Sequence, residues 1–273
     1  MPHLLILGTR GVPANHGGFE TFAERLALFL CSQPDWSVTV YCQGSATGEI
    51  FEDDWHGVRR VHIPIPEKSR FGTIVFDFRA TRHARKQPGS ILTLGYNTGF
   101  LCLWLWACRR KHHVNMDGIE WHRAKYHRLI RLWFHVNEHL AAMFATGMIA
   151  DHPDIAAHLS RKIFKRRARR TTTIVYGADE ITTAPLTHLL PLGLEAGKFL
   201  TLIARPEPEN SILEIVRAFA TLKADAKLVV LGTYDPANRY HAEDLQAKRN
   251  RVGLARASYE QVEDDAVRTP ADG

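Results

Sequence analysis

The chain is poor in cysteine, and Cys31, Cys42, Cys102 and Cys108 show no C-x-x-C spacing. They form no disulfide framework, and we read them as four reduced thiols of a cytoplasmic protein. Long hydrophobic runs are also missing. The longest, FLCLWLWAC from Phe100 to Cys108, is far below the ~20 residues that a spanning helix needs. The opening MPHLLILG has no basic region followed by a long apolar stretch, so no secretory leader is expected. The dinucleotide fingerprint G-x-G-x-x-G is absent, because the first glycines fall at positions 8, 11, 17 and 18. We find no internal repeat of fixed period.

What is present is enough for packed cores: 45% of the 273 residues are hydrophobic and 10% aromatic. That length corresponds to about one or two domains. A net charge of +6 favours an anionic partner, which composition leaves open among a phosphate ligand, an acidic membrane surface and nucleic acid. The basic segments lack interleaved aromatics or a known nucleic-acid motif, so no nucleic-acid partner is expected.

Short apolar runs alternate with helix-period segments, the pattern of a parallel sheet wound with crossover helices. Strands are expected at 4–7, 37–42, 59–63, 91–94, 114–116, 148–150 and 172–175, and helices at 19–30, 74–85, 124–145 and 154–163. These make a first domain, 1–176. Gly177, Pro185, Pro191, Gly193 and Gly197 mark 177–198 as a linker. After it a second αβ pattern begins, with strands at 199–203 and 227–231, a helix at 211–222 and another at about 237–249. At 199–273 this second domain is too short for a full doubly wound half and is expected to be truncated, with a disordered tail.

The stretch GTRGVPANHGGFETFAERLA, residues 8–27, joins the first strand to the first helix. Such a connection brings a helix N-terminus to the carboxyl edge of a parallel sheet, where unpaired N–H groups and the helix dipole favour an anion. Gly17 and Gly18 are expected to allow positive φ and to let a diphosphate approach without a Cβ in the way. Glu20 would repel a phosphate in direct contact, so we expect it to cap the helix or to bind sugar hydroxyls.

Seven segments, ILGTRGVPANHGGFETFAERLA, YCQG, ILTLGYNTGF, VNMDGIEWHRAKY, IADHPDIAAHL, VYGAD and IARPEPENSILEIVRAF, occur in order up to about Tyr240. Together they resemble bacterial glycosyltransferases of family 4 with a rhamnosyltransferase-type N-terminal domain. The resemblance implies an α/β GT-B fold of two Rossmann-like parallel-sheet domains, acceptor on the first and nucleotide-sugar on the second. It also implies retaining, metal-independent transfer with no cofactor. The donor would be a nucleotide-sugar, dTDP-rhamnose foremost, and the acceptor a lipid-linked oligosaccharide or saccharide in surface polysaccharide synthesis.

By that resemblance Gly17 and Gly18 would line the donor diphosphate, and Asp117 would orient the acceptor hydroxyl or the transferring sugar. Glu120 and Trp121 would complete an acceptor wall. Arg205 would neutralise the leaving nucleoside diphosphate. Many relatives carry a lysine shortly after that arginine; here PEPEN stands there, with Glu209 and Asn210 in its place. The family's late paired-glutamate motif and glycine-rich loop do not occur before Gly273, so a second reading is a non-catalytic remnant or a membrane-surface binding subunit.

Two further signals stand apart. HVNEH, residues 135–139, fits the H-x-x-E-H pattern of a zinc site, but as one match in a chain of 15 histidines it does not establish a peptidase. RKIFKRRARR, residues 161–170, and RRKHH after the tryptophan-rich run are strongly basic. They suit peripheral attachment to an anionic inner membrane face, or else a solvated helix end and a buried helix.

Overall fold

The computed structural model describes residues 1–15, 17–44, 48–65, 71–116, 118–123, 126–162, 171–184, 186–204, 207–222 and 226–231. The chain divides into two compact units, Met1–Ala178 and Asp179–Gly273.

In the first unit the order is β1 (His3–Leu7), α1 (Gly18–Cys31), β2 (Ser37–Gly44), β3 (Phe51–Trp55), β4 (Val58–Pro64), α2 (Gly72–Ala84), β5 (Ser90–Leu94), α3 (Leu101–Ala107), β6 (His112–Met116), α4 (Arg128–Phe144), β7 (Gly147–Ala150), α5 (Pro153–Lys162) and β8 (Thr171–Thr173). The strands form one sheet in the order β3-β4-β2-β1-β5-β6-β7-β8. Every pair is parallel except β3 with β4. The chain leaves β1 for β2 on one side and later returns to β5 on the other. The switch point therefore lies at the carboxyl ends of β1 and β5, where wound sheets open a crevice.

The sheet is buried on both faces, as parallel sheets are. Along β1, Leu5 and Leu7 point into a core with Tyr41, Ile63, Phe76 and Leu105. Ile6 points the other way, to Ala23, Ala27, Val38 and Val40. Each large side chain so buried contributes about 1.5–3 kcal/mol. A third cluster joins Val114, Met116 and Met148 to Ala141 and Ala142 of α4.

Three differences from the sequence reading have physical causes. FEDDW forms β3, which we did not expect: its three carboxylates hide the strand signal, yet Glu52 and Asp53 find Arg59 and Arg60 on β4. The helix expected from residue 124 starts at Arg128, after a 3-10 turn over Glu120–His122. The run FLCLWLWAC gives α3, with Leu101, Cys102 and Leu105 buried but Leu103 and Trp106 exposed.

In the second unit β9 (Phe199–Ile203) and β10 (Lys227–Leu231) pair in parallel. Between them runs α6 (Ile212–Thr221), which buries Ile212, Leu213 and Val216. The helix expected at 237–249 and the tail lie outside the described residues. Among the described residues no helix is long and apolar enough to cross a membrane.

Candidate functional site

A polar cleft of about 210 Å³ opens at the switch point. Gly8, Thr9 and Arg10 after β1 form one side of it, Gln43 of β2 and Glu20 of α1 another, and Asp77 of α2 with Asn97 and Thr98 the third.

The loop between β1 and α1 is held by side chains that take up its backbone groups. Glu20 accepts from the Arg10 N–H at 3.0 Å and Glu24 from the Ala14 N–H at 2.6 Å. Arg60, forked onto Asp53, donates to the Val12 carbonyl at 3.1 Å. Glu20 thus braces the loop rather than the first turn of its own helix. Positive φ is taken by Gly8 (83°) and Gly11 (128°). A Cβ on Gly8 would overlap the Leu94 backbone, and one on Gly11 the Cys42 side chain. Gly17, by contrast, is extended at φ 174°, and Gly18 starts α1 with nothing within 4 Å of the position a Cβ would take. The conformational reason expected for these two glycines therefore does not hold; a Cβ on Gly17 would meet Glu20 Oε2 at 3.4 Å, and the space at Gly18 is open.

Asp77 was not anticipated from the sequence. It accepts from Thr98 Oγ1 at 2.8 Å, and burial pushes its carboxyl up to about 6 against the pull of that bond. Beneath it a cavity of about 10 Å³, roughly one water in size, is lined by Asp77, Thr81, Thr93, Thr98, Cys102 and His112. Burial, with His113 adding, lowers His112 to about 4, and burial raises the Cys102 thiol to about 12. Although Cys102 Sγ lies 3.8 Å from His112 Nε2, both groups are driven to their neutral forms. They make no thiolate–imidazolium nucleophile.

Glu120 is placed outside the lining of this cleft. Its N–H donates to Tyr96 Oη at 2.9 Å, and its carboxylate meets Arg123 at 3.0 Å and Tyr126 Oη at 3.3 Å. Trp121 turns its Nε1–H to Glu138 at 2.9 Å. Asp117 and Arg205 lie outside the described residues. In the second unit Glu209 and Asn210 belong to a 3-10 turn over Pro208–Asn210 that leads into α6, and Asn210 is exposed.

The sequence pattern of the family described as "Domain of unknown function (DUF1972)" matches residues 1–179. The chain belongs to this family. No curated protein sequence matches the DUF1972 chain. Among solved structures it is similar to Anabaena Alr3699/HepE, whose crystal structure is in complex with UDP and glucose, with a TM-score of 0.61 and 17% identity over 92% of this chain and 68% of that one. It is similar also to the UDP-forming α,α-trehalose-phosphate synthase of Burkholderia xenovorans, in complex with glucose-6-phosphate. There the TM-score is 0.61 and the identity 12%, over 90% of this chain and 70% of that one. The trehalose-6-phosphate synthase OtsA gives a TM-score of 0.58 at 9% identity over 91% and 69%. These likenesses establish the fold of the DUF1972 chain as α/β and GT-B-like.

Proposed function

We propose that this protein is a glycosyltransferase of the family 4 type. It transfers a sugar, with dTDP-rhamnose as the foremost donor, to a lipid-linked or saccharide acceptor, with retention and without a metal in the transfer step. One observation carries the reading: a polar cleft at the switch point of a GT-B-like sheet, faced by one partly exposed carboxylate, Asp77, and by the loop that leads to the N-terminus of α1. In this reading Gly17 and Gly18 leave room for the donor diphosphate, and Arg205, Glu209 and Asn210 serve the donor from the second unit. Asp117 orients the acceptor, Asp77 adds a second hydrogen-bond acceptor for its hydroxyls, and Glu120 positions the turn beside them.

The exposed faces of α3 and α4 support a membrane-held acceptor. Leu103, Trp106, Leu129, Leu132 and Trp133 are exposed there, with Arg128 and Arg131 in the same turns of α4. Such a surface combines apolar insertion with attraction to anionic lipid.

The test is isothermal titration with dTDP-rhamnose, UDP-glucose and GDP-mannose, followed by nucleotide release with membrane extract as acceptor. One donor should bind and be turned over, with release abolished in Asp117→Ala and binding weakened in Arg205→Ala. A folded protein that binds none of the three refutes the reading. Binding without release leaves the alternative, a binding subunit without transfer activity.

A further inference from the structure

The second half of α4 carries a group of side chains that sugar transfer does not use. His135, Glu138 and His139 each present a ligand atom, and these atoms all lie within 4.8 Å of one another. The spacing explains why: residues three and four apart share a helical face. We propose that these three side chains bind a divalent transition-metal ion of the zinc type.

The donor set selects the ion. Two imidazole nitrogens with one carboxylate oxygen suit Zn²⁺, Co²⁺ or Ni²⁺, whereas Mg²⁺ and Ca²⁺ take oxygen ligands. Zinc sits about 2.0–2.2 Å from such atoms, which small side-chain rotations of three residues on one face can supply.

The surroundings are those of a ligand set held in place. His139 Nδ1 lies 2.8 Å from the His135 carbonyl oxygen; it must donate there, so in the neutral ring Nε2 is the basic nitrogen. Glu138 is only 3% exposed. Its Oε2 accepts from Trp121 Nε1 at 2.9 Å and its Oε1 contacts His158 Nε2 at 2.7 Å. Outer partners of this kind fix the orientation of the ligands. The Trp121 ring stands edge-on to the His135 ring at 4.8 Å and shields one side.

The same geometry argues against peptidase chemistry. A general base must face a substrate and its water, yet Glu138 is buried and doubly engaged. The ion would act as a clasp. Through Glu138 it ties α4 to the 3-10 turn that bears Trp121 and to His158 of α5.

The experiment uses the whole chain, stripped with EDTA, titrated with Zn²⁺ against a chromophoric chelator and separately with Co²⁺ while visible absorption is recorded. We expect one high-affinity ion per chain and Co²⁺ ligand-field bands at one equivalent. His135→Ala and His139→Ala should each weaken Zn²⁺ binding by at least about 100-fold, beyond the loss of an outer partner, and remove the bands. His152→Ala, at an exposed histidine, should change neither. His139→Gln replaces the alanine variant if circular dichroism shows that the latter is unfolded. Parent and variants that titrate alike, or a parent without Co²⁺ bands, would overturn the proposal. Neither result bears on donor binding, so this site and the transferase reading stand or fall separately.

Discussion

Thr98 donates its hydroxyl hydrogen to Asp77 at 2.8 Å, joining the loop after β5 to the middle of α2 at the wall of the cleft. That bond favours the ionised carboxylate, and burial disfavours it more strongly, leaving Asp77 at about 6.

Two groups, one buried and one half-buried, therefore oppose each other in acid. His112, lowered from 6.5 to about 4, binds its proton more readily when unfolded, so it costs stability as pH falls through that window. Asp77, raised from 3.8 to about 6, binds its proton more readily when folded, so it adds stability as pH falls from about 6 toward 3.8. Asp77→Asn removes the second effect. Above pH 6 the variant should be more stable than the parent by about 1–2 kcal/mol, the two-unit shift being discounted for partial exposure. It should also lose stability more steeply below pH 6. Urea unfolding between pH 4.5 and 7.5 measures both, and a variant less stable than the parent at pH 7.5 contradicts the assignment.

The glycines of the first loop should separate into two kinds. Gly8→Ala meets both a positive φ and the Leu94 backbone, so a loss of about 2 kcal/mol or more is expected. Gly18→Ala has open space and should stay within about 0.5 kcal/mol of the parent, while lowering affinity for the nucleotide-sugar donor. Thermal unfolding beside titration calorimetry distinguishes them. Unchanged donor affinity in Gly18→Ala would show that the diphosphate does not approach there.

Asn137, 1% exposed, fastens α4 to the start of α3. Its Oδ1 accepts from the Phe100 N–H at 3.0 Å and its Nδ2 donates to the Trp133 carbonyl at 2.9 Å. Next to it Gly99 comes so close to the Asn137 backbone that a Cβ would overlap its carbonyl. Asn137→Ala leaves a buried N–H without its acceptor and should cost about 2–3 kcal/mol. Denaturant titration is the check, and a change under 0.5 kcal/mol would mean that water replaces the amide.

How much of this was legible in the sequence depends on what each residue announces. Leu4–Leu7 and Ser37–Cys42 read as strands because apolar runs bounded by turn residues leave little else to be. The winding order placed the cleft at the end of β1. Asp77 stayed hidden because a single carboxylate in IVFDFRA has no motif; its signal was only that an acid sits amid apolar residues on a buried helix face. Positive φ, expected at Gly17 and Gly18, falls instead at Gly8 and Gly11, since spacing does not reveal which glycine is crowded by a neighbouring strand. The histidines of HVNEH were visible, but their outer partners Trp121 and His158 come from other elements and meet them only in the fold.

The exposed apolar face of α4 makes its own prediction. Leu129 is 72% exposed, and the double variant Leu129→Glu/Leu132→Glu should fold as the parent does. Its binding to phosphatidylglycerol-containing vesicles should fall by about 10-fold or more per residue, the worth of one inserted leucine. Vesicle co-sedimentation at two salt concentrations reads this out. Equal binding by parent and variant excludes the face as a membrane contact.

The outer strand β3 carries Glu52, Asp53 and Asp54 in succession along an edge of the sheet. A strand edge that is otherwise regular invites a second copy to add its own strand, and charged side chains along it disfavour that addition. The antiparallel strand that looked least like a strand thus ends the described sheet with a row of charged side chains, two of them held by Arg59 and Arg60, a pattern that disfavours alignment of a second copy's strand along that side.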